Sequence, residues 1–199
     1  MSVAVFLATH DRVVAASDSR ARDGATYADT TRKVHLDGTG IFAASGHGDL
    51  ALDAWRRTPA VRGESAEARA KRIVPAMEHG LIAEPEEALT LFGICQWRDG
   101  RPDVHALKVR IAPMSTTAQI VEEGAVPAGA VALVFGWDDQ PDKPGLVRRD
   151  ILPTLTRAPT EAVMVQLARD LIARAAEQSL KVGGAVFVAV LDAGGPKWV

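Results

Sequence analysis

The chain has 199 residues, of which 47% are hydrophobic and 24% are charged, and this composition is ordinary for a soluble globular protein. The length predicts a single domain over residues 1–199 whose core needs neither disulfides nor a structural metal. The formal net charge of −2 at pH 7 gives no electrostatic reason to expect nucleic acid or an anionic membrane as a partner.

Signals for secretion, disulfides and metals are lacking in the sequence. Cys95 is the single cysteine, so neither an intrachain disulfide nor a multi-cysteine metal site can form. Because Cys95 lies inside a strand pattern, we expect a buried and unreactive thiol. The N-terminal apolar run follows no basic segment and stops at Thr9-His10-Asp11, which predicts a strand rather than a signal peptide. We therefore expect a cytoplasmic protein without a membrane partner, a metal or an organic cofactor.

The first half of the chain predicts two β-hairpins followed by two helices. Short runs with the pattern of strands lie at 3–8, 13–16, 33–36 and 41–44. The third and fourth runs flank Asp37-Gly38, and Asp-Gly is a strong hairpin-turn signal. The apolar spacing then changes to the helical period, which predicts helices over 49–57 and 65–81.

The second half predicts four more strands, two helices and a last strand. The predicted strands are 89–97, 104–111, 116–121 and 130–135; the helices are about 146–155 and 159–178; and the last strand is 185–191. No repeat or linker interrupts this order. A domain with two sheets packed face to face between helical layers accommodates it.

Short motifs in the first 50 residues occur in an order that resembles a known family. The motifs are Ser2-Val3-Ala4-Val5, Ala16-Ser17-Asp18-Ser19-Arg20, Ala28-Asp29 leading to Lys33-Val34-His35, and Ala43-Ala44-Ser45-Gly46-His47-Gly48-Asp49. Together they resemble the proteasome-type β-subunits of the N-terminal-nucleophile hydrolases. That resemblance implies an α+β fold, a four-layer αββα sandwich of two antiparallel sheets between helical layers.

The tail of the chain resembles one branch of that family. Asp142-Lys143-Pro144-Gly145-Leu146 with Arg149, and the segment 179–184, are similar to the bacterial Anbu, or ancestral β-subunit, proteins. The strong similarity covers residues 2 to about 57, and from there to residue 140 the resemblance is in topology alone.

The resemblance makes Ser2 the nucleophile. A serine hydroxyl needs a base, and a free N-terminal residue carries one, because an unperturbed α-amino group has a pKa of about 7.7–8.0. This mechanism requires removal of Met1, since with Met1 attached the Ser2 nitrogen is an amide. The numbered chain still contains Met1.

The same resemblance implies roles for four further residues. Asp18 would pair with Lys33, whose positive charge would favour the deprotonated forms of the Ser2 hydroxyl and amine. Gly48 would offer its backbone N–H to the oxyanion at the start of a helix. Arg20 would support the site through an ion pair. Strand alternation places Lys33 on the same face as His35. We expect no catalytic role for His47, which precedes Gly48.

Two departures from the family pattern concern the groups that normally orient the terminal amine. Gly136-Trp137-Asp138-Asp139 stands where the family commonly has a Gly-Ser-Gly loop. Ser179 and Val182 stand where the family has an aspartate and a serine. Ser179, or an acid from Asp138-Asp139, could substitute for the lost groups, or the site could be weakened or dead.

The function that we expect is hydrolysis of peptide bonds in peptides or unfolded proteins, inside a large homo-oligomeric ring or spiral. An ATPase partner cannot be assigned from the sequence. One alternative is a proteasome-like structural subunit that keeps the fold without the activity. Another is an N-terminal-nucleophile amidase or ligase that acts on a small amide, and the sequence does not discriminate against it.

Overall fold

A computed structural model of the chain describes residues 3–23, 26–80, 87–127, 132–134, 147–148, 159–178, 180 and 182–199. The described strands are β1 (Ala4–Ala8), β2 (Val13–Ser17), β3 (Ala21–Asp23), β4 (Thr26–Ala28), β5 (Val34–Asp37), β6 (Gly40–Gly46), β7 (Ala88–Arg98), β8 (Arg101–Ile111), β9 (Ala118–Val126), β10 (Ala132–Val134), β11 (Val147–Arg148), β12 (Phe187–Asp192) and β13 (Gly195–Trp198). The described helices are α1 (Gly48–Arg57), α2 (Ala66–Glu78) and α3 (Glu161–Gln178).

These elements form a mixed α+β structure with two antiparallel sheets. The strand order of the first sheet is β11-β10-β1-β2-β12-β13, and that of the second is β5-β6-β7-β8-β9. Strands β3 and β4 form a separate short hairpin. The hairpins β1–β2 and β5–β6 are those that the apolar runs predict.

The β5–β6 hairpin shows how local sequence sets the register of the second sheet. The Asp37 carboxylate accepts hydrogen bonds from the backbone N–H groups of Thr39 and Gly40, at 2.8 and 2.9 Å, as in an Asx turn. Gly40 then passes so close to β7 that an added Cβ would lie 2.0 Å from the Cys95 carbonyl oxygen. A side chain at position 40 is therefore incompatible with this strand pairing.

The first hydrophobic core lies between the two sheets. It contains Phe6 and Ala15 from the first sheet and Ile41 and Cys95 from the second. Burial raises the pKa of the Cys95 thiol well above its usual value, so Cys95 is the buried thiol that the sequence predicts.

Two further cores cover the outer faces of the sheets. On the first sheet, Val5 and Val190 pack against Met164 of α3. On the second sheet, Phe42 packs against Trp55 of α1 with its ring centroid 5.1 Å away, and α2 lies over the same face. The succession of α3, first sheet, second sheet, and α1 with α2 is compatible with a sandwich of two sheets between helices.

Most predicted elements are present, and one prediction is wrong where it can be compared. Val147–Arg148, inside the predicted helix 146–155, forms strand β11 and pairs with β10. The apolar spacing there suits a helix, but pairing with a distant strand overrides it. The remaining residues of that predicted helix lie outside the described part of the chain. The predicted strand 116–121 begins at Ala118 and continues to Val126.

The sequence patterns predict neither the short hairpin β3–β4 nor the last strand, β13. Three-residue strands are too short to show an alternation, and Gly195–Trp198 contains a glycine and a proline, which are depleted in strands. Among the residues described, no helix combines the length and the apolar composition needed to cross a membrane.

Candidate functional site

A buried ion pair joins the ends of the two sheets. Asp18 follows β2 in the first sheet and Lys33 precedes β5 in the second, and the Lys33 Nζ lies 2.6 Å from the Asp18 Oδ1. The Asp18 side chain is 0% exposed and that of Lys33 is 6% exposed. The structure thus brings together the two residues that the resemblance predicts to pair.

The Asp18 carboxylate is held by three backbone N–H groups in addition to Lys33. Val3 donates to Oδ1 at 3.0 Å, while Arg20 and Gly183 donate to Oδ2 at 3.2 and 3.1 Å. These donors come from the residue before β1, from the segment after β2 and from the segment before β12. Hydrogen bonds to a carboxylate are among the stronger ones in proteins, so Asp18 fixes the relative positions of three segments.

One of the three N–H groups of the Lys33 ammonium has no hydrogen-bond acceptor among the described residues. Its Nζ donates to Asp18 Oδ1 and, at 2.5 Å, to the Arg20 carbonyl oxygen, whereas an ammonium carries three donors. Burial lowers the pKa of Lys33, and the Asp18 carboxylate only partly opposes this effect. A lysine in this environment can donate a hydrogen bond to a hydroxyl or an amine beside it, and its charge favours the deprotonated form of that group.

Arg20 contacts this pair through its backbone and forms an ion pair with Asp29. Its guanidinium binds both carboxylate oxygens of Asp29, with N–O distances of 2.8 and 2.9 Å, and donates to the Leu180 carbonyl oxygen at 2.9 Å. Ser19 joins the same segments, because its hydroxyl donates to the Asp29 carbonyl oxygen and accepts from the Ala185 N–H.

The loop before β12 can approach this network because it contains two glycines. Gly184 has a φ of +77°, and a Cβ added there would lie 2.3 Å from the Ser19 Oγ. A Cβ added at Gly183 would lie 2.7 Å from the Arg20 guanidinium carbon. A side chain at either position would therefore displace Ser19 or Arg20, and the Gly183 N–H that binds Asp18 depends on this close approach.

A cavity of about 190 Å³ opens beside Lys33. Its lining includes Lys33, His35 and Phe42 from one side of the second sheet, together with Gly48 from the start of α1. Lys33 and His35 thus share one face, as strand alternation predicts, while Val34 packs into the core between the sheets. The cavity is thus bordered by the Lys33 side chain, the N-terminus of α1 and an aromatic wall.

His35 forms part of the cavity wall against the aromatic cluster. Its ring centroid lies 6.5 Å from those of Phe42 and Trp55. Burial lowers the pKa of His35, and the charge of Arg56 adds to that effect. His35 therefore presents a neutral ring to the cavity at neutral pH.

Gly48 lies at the predicted position, at the first residue of α1 and in the cavity wall. The first N–H groups of a helix have no partner inside the helix, so that of Gly48 is available to a bound oxyanion. A Cβ added at Gly48 would lie 3.4 Å from the Ala44 Cβ, so the protein itself leaves some room for a side chain.

The two residues before Gly48 differ from it. Gly46 has a φ of +74°, and a Cβ added there would lie 2.1 Å from the Leu89 carbonyl oxygen. His47 is exposed.

Several predicted site residues lie outside the described part of the chain. These are Ser2 with the preceding Met1, Ser179, and the segment 136–139. Val182 is described, and its side chain is 3% exposed in the apolar cluster between the first sheet and α3. Its position is therefore filled by packing rather than by the hydroxyl that the family pattern has there.

The structure adds site residues that sequence reasoning did not assign. Asp29 appeared in a motif without a role, and the Gly183 N–H was not recognised as an Asp18 ligand because 165 residues separate the two. Ser17 and Ser45 lie near this end of the sheets, and among the described residues their buried hydroxyls have no hydrogen-bond partner. An unpaired buried hydroxyl gives no sequence signal, since a serine inside a strand reads as an ordinary small residue.

Comparison with known proteins gives no relative from which to transfer a function. The sequence matches no protein-family model and no curated protein. Within the described segments, no group of three or more His, Cys, Asp or Glu side chains is arranged to hold a metal ion. The functional proposal therefore depends on the chemistry of the residues around Asp18 and Lys33.

Proposed function

We propose that this chain is an N-terminal-nucleophile hydrolase of the proteasome β-subunit type, with the four-layer αββα fold, that cleaves peptide bonds with Ser2 after Met1 is removed. One observation carries the proposal. The Asp18 Oδ1 binds both the Lys33 ammonium and the N–H of Val3, and Val3 is bonded directly to Ser2. A buried cation is thus tied to the residue next to the proposed nucleophile.

The first chemical step follows from the groups of Ser2 itself. Its Oγ attacks the carbonyl carbon of the scissile bond while its α-amine accepts the hydroxyl proton. The amine then returns this proton to the leaving nitrogen as the C–N bond breaks, which leaves an ester on Ser2. Water hydrolyses the ester through the same amine, releases the acid and restores the hydroxyl.

Lys33 and Gly48 supply electrostatic stabilisation in this proposal. The Lys33 ammonium, whose third N–H has no acceptor among the described residues, would favour the deprotonated form of the Ser2 hydroxyl. The Gly48 N–H would bind the oxyanion of the tetrahedral intermediate, and removing such a donor typically lowers kcat about 10²-fold or more. Asp18 keeps Lys33 in place, and Arg20 keeps the Asp18 loop against the segment before β12.

The family resemblance extends the proposal to assembly and location. We propose a large homo-oligomeric ring or spiral in the cytoplasm, with inward-facing sites that act on peptides or unfolded proteins. Enclosure of this kind would protect other cytoplasmic proteins from an unselective hydrolase. We assign no ATPase partner.

A structural subunit without activity is the second candidate, and Val182 favours it. The buried Val182 side chain cannot orient a terminal amine as a serine hydroxyl would, because it has no polar atom. In this alternative the Asp18–Lys33 pair stabilises the junction of the two sheets and has no chemical role.

The test is peptide hydrolysis by protein whose N-terminus is shown by intact mass to be Ser2. We expect hydrolysis by this protein, and its loss both in Ser2→Ala and in a variant with one extra residue before Ser2. Ser115→Ala, in the turn before β9, is the matched control and should keep the parent rate. Hydrolysis that survives in Ser2→Ala contradicts the mechanism. An assembled protein with a free Ser2 and no hydrolysis of a broad peptide library indicates the structural subunit.

A further inference from the structure

Arg32, next to Lys33 in the chain, is held between two aromatic rings. Its guanidinium carbon lies 5.0 Å from the Phe187 ring centroid and 4.7 Å from that of Trp198. These rings belong to β12 and β13, the last two strands of the first sheet. Arginine binds aromatic faces through cation–π attraction, so the C-terminal hairpin fixes the position of an exposed arginine.

This arrangement leaves the guanidinium N–H groups of Arg32 without a hydrogen-bond acceptor among the described residues. The rings contact the guanidinium without accepting its N–H groups in conventional hydrogen bonds, and no carboxylate or carbonyl oxygen of the described residues accepts from it. A planar guanidinium presents its N–H groups in a fork that matches a carboxylate. Because the rings already restrict the side chain, binding an anion costs less conformational entropy than it would for a free arginine.

Arg32 also lines the cavity beside Lys33. The Lys33 charge is compensated by Asp18, whereas the charge of Arg32 has no such partner among the described side chains. Asp49 is the one carboxylate among the described residues in the cavity lining. It is exposed in the first turn of α1, where the helix N-terminus already stabilises a negative charge. Arg32 is therefore the positive charge at this cavity that no described side chain neutralises.

We propose that Arg32 binds a carboxylate of the substrate, so that the cavity selects peptides with an acidic group next to the cleaved bond. This inference rests on the proposed hydrolase function and adds the substrate class to it. The carboxylate can come from an acidic side chain or from the C-terminus of a short peptide. Both place the same planar anion against the same fork of N–H groups.

Hydrolysis of matched peptides tests the preference. Three peptides differ only in Glu, Gln or Lys before the cleaved bond, and a peptide acid is compared with its amide to test the C-terminal source. We expect the parent to favour the carboxylate in one of these comparisons about tenfold in kcat/KM, the scale of a charge-assisted hydrogen bond. Arg32→Gln should remove that preference, and Trp198→Leu should reduce it about threefold by loosening the arginine.

Two variants serve as controls for charge and position. Arg62→Gln removes an exposed arginine outside the cavity and should keep the parent preference. Asp49→Asn should strengthen the preference for the carboxylate, because it removes a negative charge that repels the substrate carboxylate. Two results would overturn the proposal. One is a preference for the Lys peptide that disappears in Asp49→Asn, and the other is a preference for the carboxylate that survives in Arg32→Gln.

A binding measurement separates this inference from the hydrolase function. Calorimetry with acetyl-glutamate amide and acetyl-glutamine amide on the whole chain needs no turnover. Tighter binding of the glutamate compound, lost in Arg32→Gln, supports the anion site even if no peptide is hydrolysed, and the hydrolase proposal alone then fails. Hydrolysis without any preference, together with equal binding of both compounds, overturns the anion site and leaves the hydrolase proposal standing.

Discussion

Replacing Lys33 by methionine tests whether the Asp18–Lys33 pair has the energetic role that its burial implies. Methionine keeps most of the apolar stem of lysine and removes the ammonium. The substitution leaves the Asp18 carboxylate, which is 0% exposed, without its cation, and it removes a donor from the Arg20 carbonyl oxygen. We therefore expect a large loss of stability.

The size of the loss follows from what Asp18 retains. Breaking a buried ion pair by removing one partner costs about 3–5 kcal/mol. Three backbone N–H donors, from Val3, Arg20 and Gly183, remain on the carboxylate, so the low end of that range applies. We predict that Lys33→Met lowers the free energy of unfolding by about 3 kcal/mol.

Urea denaturation of four proteins measures this value and isolates the pair. The proteins are the parent, Lys33→Met, Asp18→Asn and the double variant, and the double variant should lose less than the sum of the single losses because neither charge is left alone. Lys33→Arg should not restore hydrolysis, since a planar guanidinium cannot replace a compact ammonium, but it should keep assembly. A change below about 0.5 kcal/mol in Lys33→Met, the value typical of an exposed site, would refute the reasoning.

The remaining predictions concern the surroundings of the site. Gly46→Ala should lower the free energy of unfolding by several kcal/mol in urea denaturation, because its Cβ would lie 2.1 Å from the Leu89 carbonyl oxygen; a loss as small as that of Gly48→Ala would contradict the backbone argument. Ser45→Ala should raise the free energy of unfolding by about 1 kcal/mol, measured as a higher melting temperature, because the buried hydroxyl that it removes has no hydrogen-bond partner among the described residues; a lower melting temperature would show that Ser45 Oγ has a partner. Burial would raise the pKa of Asp37, but hydrogen bonds from Thr39 and Arg69 lower it overall, so this carboxylate stabilises the fold above a pH of about 4 and the contribution is lost as pH falls through its folded-state pKa. The urea midpoint should therefore fall less steeply with acidification in Asp37→Asn than in the parent, and equal slopes would exclude this contribution. Light scattering at micromolar concentration should show a large oligomer, and a monomer would contradict the proposed assembly.

Local sequence patterns were sufficient for most of the fold. The Asp37-Gly38 turn fixes the β5–β6 hairpin through bonds within four residues, and the α2 helix begins where Ser65 caps the Ala68 N–H at 3.1 Å. Val147–Arg148 could not be predicted in this way because β11 forms by pairing with a strand more than ten residues away along the chain.

The part of the site that lies within one short stretch of chain could also be predicted from the sequence. Asp18 and Lys33 lie 15 residues apart, within a motif that carries the family resemblance. The contacts of Gly183 with Asp18, and of Phe187 and Trp198 with Arg32, join residues from opposite ends of the chain. Neither has a local pattern, and both depend on β12 lying beside β2 in the first sheet.

The most direct test of the central proposal is mass mapping after treatment with a peptide electrophile that must react with the hydroxyl and the α-amine of one residue. Such a reagent reports in one measurement whether Met1 is absent and whether Ser2 is nucleophilic. We predict a single adduct on an N-terminal peptide that begins at Ser2, and its loss in Lys33→Met protein that is still folded. A chain that begins at Ser2 and remains unmodified at saturating reagent would contradict the proposal that Ser2 is a nucleophile activated by Lys33.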